Sequence, residues 1–433
     1  MTPPLPEHVF SQISELNGSV WLDGGASANG WSILTWSPTD VHTTLTGWQA
    51  FARANVRPAA SQDCPFQGGV LGYLGYGVGH TVESVPPDGA TPEPPIWLGR
   101  YDGGLCWHHP TRQWHVAGTD AFRRQANEVL HAARPPRFPG QPSGTATTIS
   151  RDCYEASVRR ILSFIGEGDC YQVNLSRAVH VSGVGPAADA YRRLRTTSSA
   201  RFGAYLRLAS DLAVLSNSPE LLVRVHNGMA LAEPIKGTRP RAADEQTDAR
   251  LAAELEASPK ERAELTMIVD LLRNDLGKVA QPGTVVAGNR HIQAHANVHH
   301  ASQRIRAELN AGTDAWDVLA ALLPYGSVTG APKVRACKRI HELESQPRGV
   351  YCGGIGFVSD GGDARWSVAI RTAVIHGTNA RYHVGGGIVA ESEPRAEWLE
   401  TEAKGLALAK ALHPEPALSK EDFDADNFWS KRS

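Results

Sequence analysis

A mixed α+β chain is what the sequence predicts, on three observations. Short apolar runs broken by turn residues fill the first 135 positions. An Asn227-Gly228 pair separates two strand-like segments. Runs with helical apolar spacing follow at 151–165, 261–279 and 391–412.

Taken in order, SVWLDGG and WSILTWSP read as short strands, and FQGGVLGYLGYGVGH as a strand-and-turn segment punctuated by Gly68, Gly69, Gly72 and Gly75. Those glycines lack the lysine and Ser/Thr that complete a phosphate loop, so close backbone packing between sheets is the expectation. A helix is predicted over DAFRRQANEVLHAARP. After it, residues 136–149 have the Pro, Gly, Ser and Thr content of a linker, dividing an N-terminal region (1–135) from a main domain (150–412). RDCYEASVRRILSFI predicts a helix ended by Gly166 and Gly168, and CYQVNLSRAV, AYLRLA and LAVLS predict strands. Asn227-Gly228 supplies the positive-φ pair of a tight hairpin in ELLVRVHNGMALAEPI. That hairpin brings Glu220, which opens its first strand, close to Lys236, which closes its second. ARWSVAIRTAVIHG reads as a single apolar strand with Arg371 in its middle, where a charge needs an anion, either a structural partner or a ligand carboxylate. The residues 413–433 are expected to form a mobile tail.

The chain has 433 residues and a net charge of −2, which gives no basic field for nucleic acid or an acidic membrane and favours a small-molecule role. Its six cysteines are dispersed without a CxxC pair, as expected of reduced thiols. The N-terminus has neither a basic start nor an apolar core, and no stretch reaches the roughly eighteen apolar residues of a membrane span; a soluble cytoplasmic protein is expected.

The chemistry concentrates in EPIKGTRPR, residues 233–241. Lys236 stands between a strand and a glycine, among apolar and proline neighbours that strip its hydration. Desolvation disfavours the ammonium form, so the amine can act as nucleophile or base; with Arg239 and Arg241 close by, an anion-binding lysine is the plainer reading. On the 261–279 helix Glu261 and Glu264 share a face, which Asp270 does not clearly join. His291, His295 and His299 have helical zinc-ligand spacing, but their segment alternates like a strand, so zinc is disfavoured and His300 is kept as a site candidate. PYGSVTGAPK lacks the Lys-Ser/Thr close of an ATP loop. Glu397, Glu400 and Lys404 fall on one helix face, either as a surface ion-pair network or as oxygen ligands for Mg²⁺.

The ordered set YQVNLSR, SPELL, PIKGTRPR, KERAELTMIVDLLRNDLG, HHAS, PYGSVTGAPK, GGIGF, IRTAV, GGGIVAESEP and EWLETEAK resembles the chorismate-utilising enzymes from about residue 150 to 412, and WSILTWSP and FQGGVLGYLGYG are also similar to that family's N-terminal segments. The resemblance implies an α+β chorismate-binding fold of two packed antiparallel sheets with helices outside, the N-terminal region completing the sandwich.

Two positions narrow the resemblance. Isochorismate-type members activate water with a lysine where this chain has Gln172, so water as nucleophile is disfavoured. Anthranilate synthases carry alanine in PIAGT where this chain has Lys236, as the aminodeoxychorismate synthase component I branch does. Amination of chorismate at carbon 4 is thus implied, on the route to 4-aminobenzoate and folate, with Lys236 adding covalently at carbon 2 before ammonia displaces it. Glu220 matches the general acid. Glu264 and Glu400 match Mg²⁺ ligands, with Glu397 acting through a bound water. Gln172, Gly237, Thr238, His300, Thr329, Arg371, Gly385, Gly386, Gly387 and Lys404 are implied to contact substrate. No segment resembles a glutaminase, so ammonia is expected from solution or from a glutamine amidotransferase subunit. No lyase segment is recognised either, and WLDGG stands where tryptophan-inhibited members carry an LLES-type stretch. The alternatives are anthranilate synthase component I and a non-catalytic chorismate- or tryptophan-sensing subunit.

Overall fold

The computed structural model describes residues 3–25, 30–59, 64–137, 139–198, 200–294 and 298–413. His295 and residues 414–433 lie outside them, as does nearly all of the segment expected to be a mobile tail. The fold is α+β: two large, essentially antiparallel sheets packed face to face, with helices on their outer surfaces.

The first sheet runs through the strands Gln172–Ser182, Asn379–Ile388, Thr372–His376, Leu212–Ser218, Phe202–Ala209, Val20–Asp23, Trp31–Thr35, Gly103–His108 and Gln113–Gly118. The second runs through Ile235–Pro240, Val298–Glu308, Met229–Glu233, Leu221–His226, Ala364–Val368, Gly354–Ser359, Gly69–Leu74, Ile96–Tyr101 and Asp40–His42. Strands from before residue 120 therefore extend both sheets. Between the sheets lie Leu71, Tyr73, Trp97, Leu206, Val214, Ile355 and Phe357. The glycines of FQGGVLGYLG allow close approach within the second sheet rather than between the sheets as expected: a Cβ on Gly72 would stand 1.9 Å from the Trp97 carbonyl oxygen on the neighbouring strand.

Helices cover both outer faces. Pro259–Gly277 begins at Ser258, whose hydroxyl caps the Glu261 N–H, and carries a proline in its first turn. Its Leu265, Ile268, Leu272 and Leu276 pack with Trp316 and Trp366 against the second sheet. Pro394–Leu412 buries Leu408, Ala411 and Leu412 against the first sheet with Phe10, Tyr191 and Tyr205. The Asn227-Gly228 hairpin forms with both residues at positive φ, 50° and 70°.

Three further expectations are corrected. ARWSVAIRTAVIHG is two strands, Ala364–Val368 and Thr372–His376, in different sheets. Residues 369–371 cross between them, and Arg371, at φ 51°, is a crossover residue rather than a strand interior. Apolar content was continuous across the break because both strands are buried, so periodicity gave no signal. The segment 136–149 is not linker throughout: Thr145–Thr148 pairs with 179–182. Lys236 does not close the hairpin; Met229–Glu233 ends first, and Lys236 belongs to the next strand, Ile235–Pro240, opposite Ala301.

Candidate active site

Two sheet-to-sheet crossovers meet at one point. Ser218 ends a strand of the first sheet and Leu221 begins one of the second, which leaves Pro219 and Glu220 in the passage; Arg371 occupies the other passage. The crossovers are tied together, with the Val368 N–H donating to the Glu220 carbonyl at 3.1 Å and the Asn217 N–H to the Arg371 carbonyl at 3.0 Å. A cavity of about 290 Å³ opens beside them.

Lys236 enters that cavity from a β-bulge. The register with 298–308 slips between Lys236 and Thr238, and Gly237 takes up the slip at φ 81°. A Cβ there would lie 2.7 Å from Leu255 and 2.8 Å from a Glu261 oxygen, so a glycine lets both covering helices close on the strand. The Lys236 Nζ donates to the Ser327 carbonyl at 2.9 Å. Next to it, the Thr238 hydroxyl and His300 Nδ1 are 3.0 Å apart.

The opposite wall is the first turns of 394–412, where burial of the lower helix face leaves Glu397, Glu400 and Lys404 over the glycine strand. A Cβ on Gly386 would find Glu397 Oε2 at 3.1 Å, Glu400 Oε1 at 3.6 Å and Lys404 Nζ at 3.8 Å. Lys404 donates to the Gly385 carbonyl at 2.9 Å and pairs with Glu400 at 2.7 Å; Glu397 accepts from the Ser392 hydroxyl at 2.8 Å.

Burial sets the electrostatics. It pushes the Glu220 carboxyl up to about 7, against the opposing pull of Lys236, the Ser327 hydroxyl, the Ile235 N–H and Lys404. One Glu220 oxygen is buried with no hydrogen-bond partner among the described residues. Glu264 is raised to about 6, again chiefly by burial, with Glu261 and Glu400 adding repulsion while Lys236 and Lys260 oppose. Burial likewise holds the half-buried Arg371 below the usual guanidinium range, and no carboxylate among the described residues pairs with it. A partly desolvated guanidinium without a counter-ion, facing a cavity, is a receptor for a carboxylate.

Of the residues expected in the site, Glu220, Lys236, Gly237, Thr238, Glu264, His300, Arg371, Gly385, Gly387, Glu397, Glu400 and Lys404 line this cavity. Gln172, Thr329 and Gly386 are not on its lining. Gln172 and Thr329 are fully buried, and Gln172 packs under Gly387, where a Cβ would meet its amide nitrogen at 2.3 Å. Sequence reasoning missed Asn174, Lys260, Ser327, Tyr351 and His383 as lining residues. Asn174 and Ser327 lie inside quoted motifs, and alternation along the strand from Gln172 would have singled out Asn174. Tyr351 and His383 had no signal, because they meet only through tertiary stacking, at 5.2 Å and 14°.

Among the described residues no group of three His, Cys, Asp or Glu side chains is placed to hold a metal by itself. His299 instead pairs with Asp248 at 2.9 Å on a strand, and Lys333 of the PYGSVTGAPK segment is held by Asp275 at 2.5 Å.

The model of the chorismate binding enzymes matches residues 23–410. The chain belongs to that family. It is 35% identical over 440 residues to aminodeoxychorismate synthase component 1 of Salmonella typhimurium, with 95% of this chain and 96% of that protein covered, and 38% identical to the Escherichia coli protein of the same name, with 84% and 81% covered. It is also 35% identical to anthranilate synthase component 1 of Streptomyces coelicolor, with 91% and 82% covered. Among solved structures, anthranilate synthase component I from Streptococcus pneumoniae is similar at a TM-score of 0.79 and 28% identity, with 87% of this chain and 92% of that one covered. The menaquinone-specific isochorismate synthase of Escherichia coli shares the fold at a TM-score of 0.75 and 20% identity, over 94% and 92%. The family match takes in the N-terminal strands as well as the site, in keeping with their place in both sheets. No helix among the described residues is long and apolar enough to cross a membrane.

Proposed function

We propose that this chain aminates chorismate to 4-amino-4-deoxychorismate in the cytoplasm, using ammonia that a glutamine amidotransferase subunit supplies, as a step toward 4-aminobenzoate and folate. The observation that carries the reading is the pairing of a primary amine, Lys236, with a buried carboxylic acid, Glu220, in one cavity that also presents Arg371 without a counter-ion.

The ring hydroxyl of chorismate is a poor leaving group, and a carboxyl raised to about 7 can protonate it near neutral pH. The Lys236 amine adds at ring carbon 2 as the protonated hydroxyl leaves carbon 4 as water. Ammonia then adds at carbon 4 while the carbon 2–nitrogen bond breaks, which returns the electron pair and the amine to Lys236. One hard substitution becomes two easier ones. Arg371 and Lys404 hold substrate carboxylate, and the Gly385 to Gly387 backbone lets the ring lie close to the strand.

The carboxylates of Glu264, Glu397 and Glu400 fit Mg²⁺, which takes one or two protein oxygens and leaves room for substrate. Their donor set is hard oxygen, and Glu264 is crowded by Glu261 and Glu400. Glu264 and Glu400 would hold the ion, with Glu397 reaching it through water, and a bound Mg²⁺ would neutralise a substrate carboxylate.

Anthranilate synthase relatives of similar identity keep ortho amination as the second reading. Incubation of chorismate with ammonium and Mg²⁺, followed by identification of the ring isomer, tests the proposal. The 4-amino product, lost in Lys236→Ala, supports it. Anthranilate, or undiminished 4-amino product from that variant, contradicts it.

A further inference from the structure

One row of side chains crosses the second sheet from its buried interior to its rim. The cross-strand register sets Phe357 opposite Arg365, Arg365 opposite Arg224, Arg224 opposite Leu231, Leu231 opposite Arg306, and Arg306 opposite Val286. Ala364, Trp366, Val223 and Val225, which flank the first two arginines along their strands, pack under the helices. Alternation therefore turns Arg365 and Arg224 to the opposite face, toward the first sheet. Exposure rises along the row: Phe357 belongs to the core between the sheets, Arg365 is half-buried, and Arg224, Arg306 and Val286 are exposed.

The row carries more positive charge than its surroundings offset. Among the described residues, Arg365, Arg224 and Arg306 make no hydrogen bond or ion pair. Glu233 is held by Arg201, just before the first-sheet strand 202–209, at 2.8 Å and by Arg304 at 2.8 Å, and Asp363 pairs with His226 at 2.8 Å. Glu308 is exposed and forms no ion pair among the described residues. Like charges directly opposite one another on neighbouring strands are destabilising, and a half-buried guanidinium costs more when nothing pairs with it. Burial, and then repulsion from Arg224 and Arg201, lower the Arg365 guanidinium to about 10, with no carboxylate acting against them.

We propose that Arg365 and Arg224 form an anion site at this rim, taking the phosphate group of inorganic phosphate or of a phosphate monoester. The two guanidinium forks carry two positive charges, which a phosphate dianion matches, and its tetrahedral oxygens can accept from both strands at once. An anion shared in this way relieves both the cross-strand repulsion and the missing counter-ion. Neither arginine lines the reaction cavity, so the site is separate from the one that receives substrate and does not depend on the amination reading.

The test is isothermal titration of the full chain with inorganic phosphate, methyl phosphate and succinate at equal ionic strength. Saturable binding of a phosphate is expected, with affinity reduced ~10-fold or more in Arg224→Ala and in Arg365→Met, and kept within about twofold in Arg371→Met, which removes a charge from the reaction cavity instead. Arg224 is exposed and unbonded, so its truncation keeps the test open even where Arg365→Met fails to fold. Tighter binding of methyl phosphate than of inorganic phosphate supports a monoester as the ligand, and the reverse supports the free ion. The proposal is overturned by the absence of saturable binding of either phosphate, by unchanged affinity in Arg224→Ala, by loss of binding in Arg371→Met, or by tighter binding of succinate.

Discussion

Lys236 and Glu220 meet at one residue, Ser327: the lysine Nζ donates to its carbonyl at 2.9 Å, and its hydroxyl donates to the glutamate carboxylate. The backbone thus aims the amine while the side chain tunes the acid. Ser327→Ala keeps the first contact and removes the second. A hydrogen bond to a carboxylate favours its charged form, so the variant's Glu220 stays protonated to higher pH. A general acid works while protonated, and activity falls as pH rises through its pKa, about 7 in the intact protein. The alkaline limb of the kcat profile is expected to move upward in Ser327→Ala. A limb that stays or moves down removes Glu220 as the acid.

Arg371 gives a prediction with two opposed readouts. With no carboxylate partner among the described residues it costs the free protein desolvation and returns that energy only when an anion binds. Arg371→Met is therefore expected to raise the KM for chorismate by ~30-fold or more, since losing a charge-assisted contact is worth about 2 kcal/mol or more. The melting temperature should hold or rise. A drop in melting temperature with an unchanged KM would assign Arg371 to the scaffold.

On the proposed Mg²⁺ assignment, Glu264 would couple metal affinity to pH. Its carboxyl, raised to about 6, must ionise to bind a cation, so Mg²⁺ affinity is expected to fall as pH drops through 6. Glu264→Gln should raise the Mg²⁺ concentration for half-maximal activity by ~10-fold or more and flatten that pH dependence. A metal titration identical to that of the unmodified protein rejects Glu264 as a ligand.

Asp248 fastens the helix Glu245–Ala257 to the site. It accepts from Arg241 Nε at 2.8 Å, the Ala242 N–H at 2.9 Å and His299 Nε2 at 2.9 Å. The Arg241 guanidinium first, then the Ala242 N–H, hold its carboxyl far below the usual carboxylate range. A depressed carboxylate stabilises the fold fully above its unfolded pKa of about 3.9 and loses that contribution as pH falls below it. Protection of amides 245–257 against hydrogen exchange should hold between pH 7 and 5 and drop in Asp248→Asn. Asp270→Asn, at an exposed position paired with the exposed Arg273 at 3.0 Å, serves as the control. Equal exchange in the two variants contradicts the fastening role.

Much of this site was legible because its chemistry sits at fixed offsets along single elements. Glu397, Glu400 and Lys404 on one helix stripe and the positive-φ pair Asn227-Gly228 follow from backbone period and turn geometry alone. What escaped depends on where buried chain changes sheets. Nothing in ARWSVAIRTAV marks Ala369 to Arg371 as a crossover, since the strands on either side are equally apolar. The bulge at Gly237 put Lys236 inside a new strand rather than at a hairpin end, although the glycine itself was in view. Gln172, expected to touch substrate, lies fully buried beneath the glycine strand and off the cavity lining. His383 carried no pattern at all, because its stacking on Tyr351 exists only in the folded chain.

The covalent role proposed for Lys236 can be measured directly. Enzyme mixed with chorismate and Mg²⁺ in the absence of ammonia is quenched, digested and weighed peptide by peptide. The peptide containing Lys236 is expected to gain the mass of chorismate less one water, and Lys236→Arg to show no gain. An unmodified Lys236 peptide, from enzyme that goes on to form 4-amino product when ammonia is added, would contradict the account.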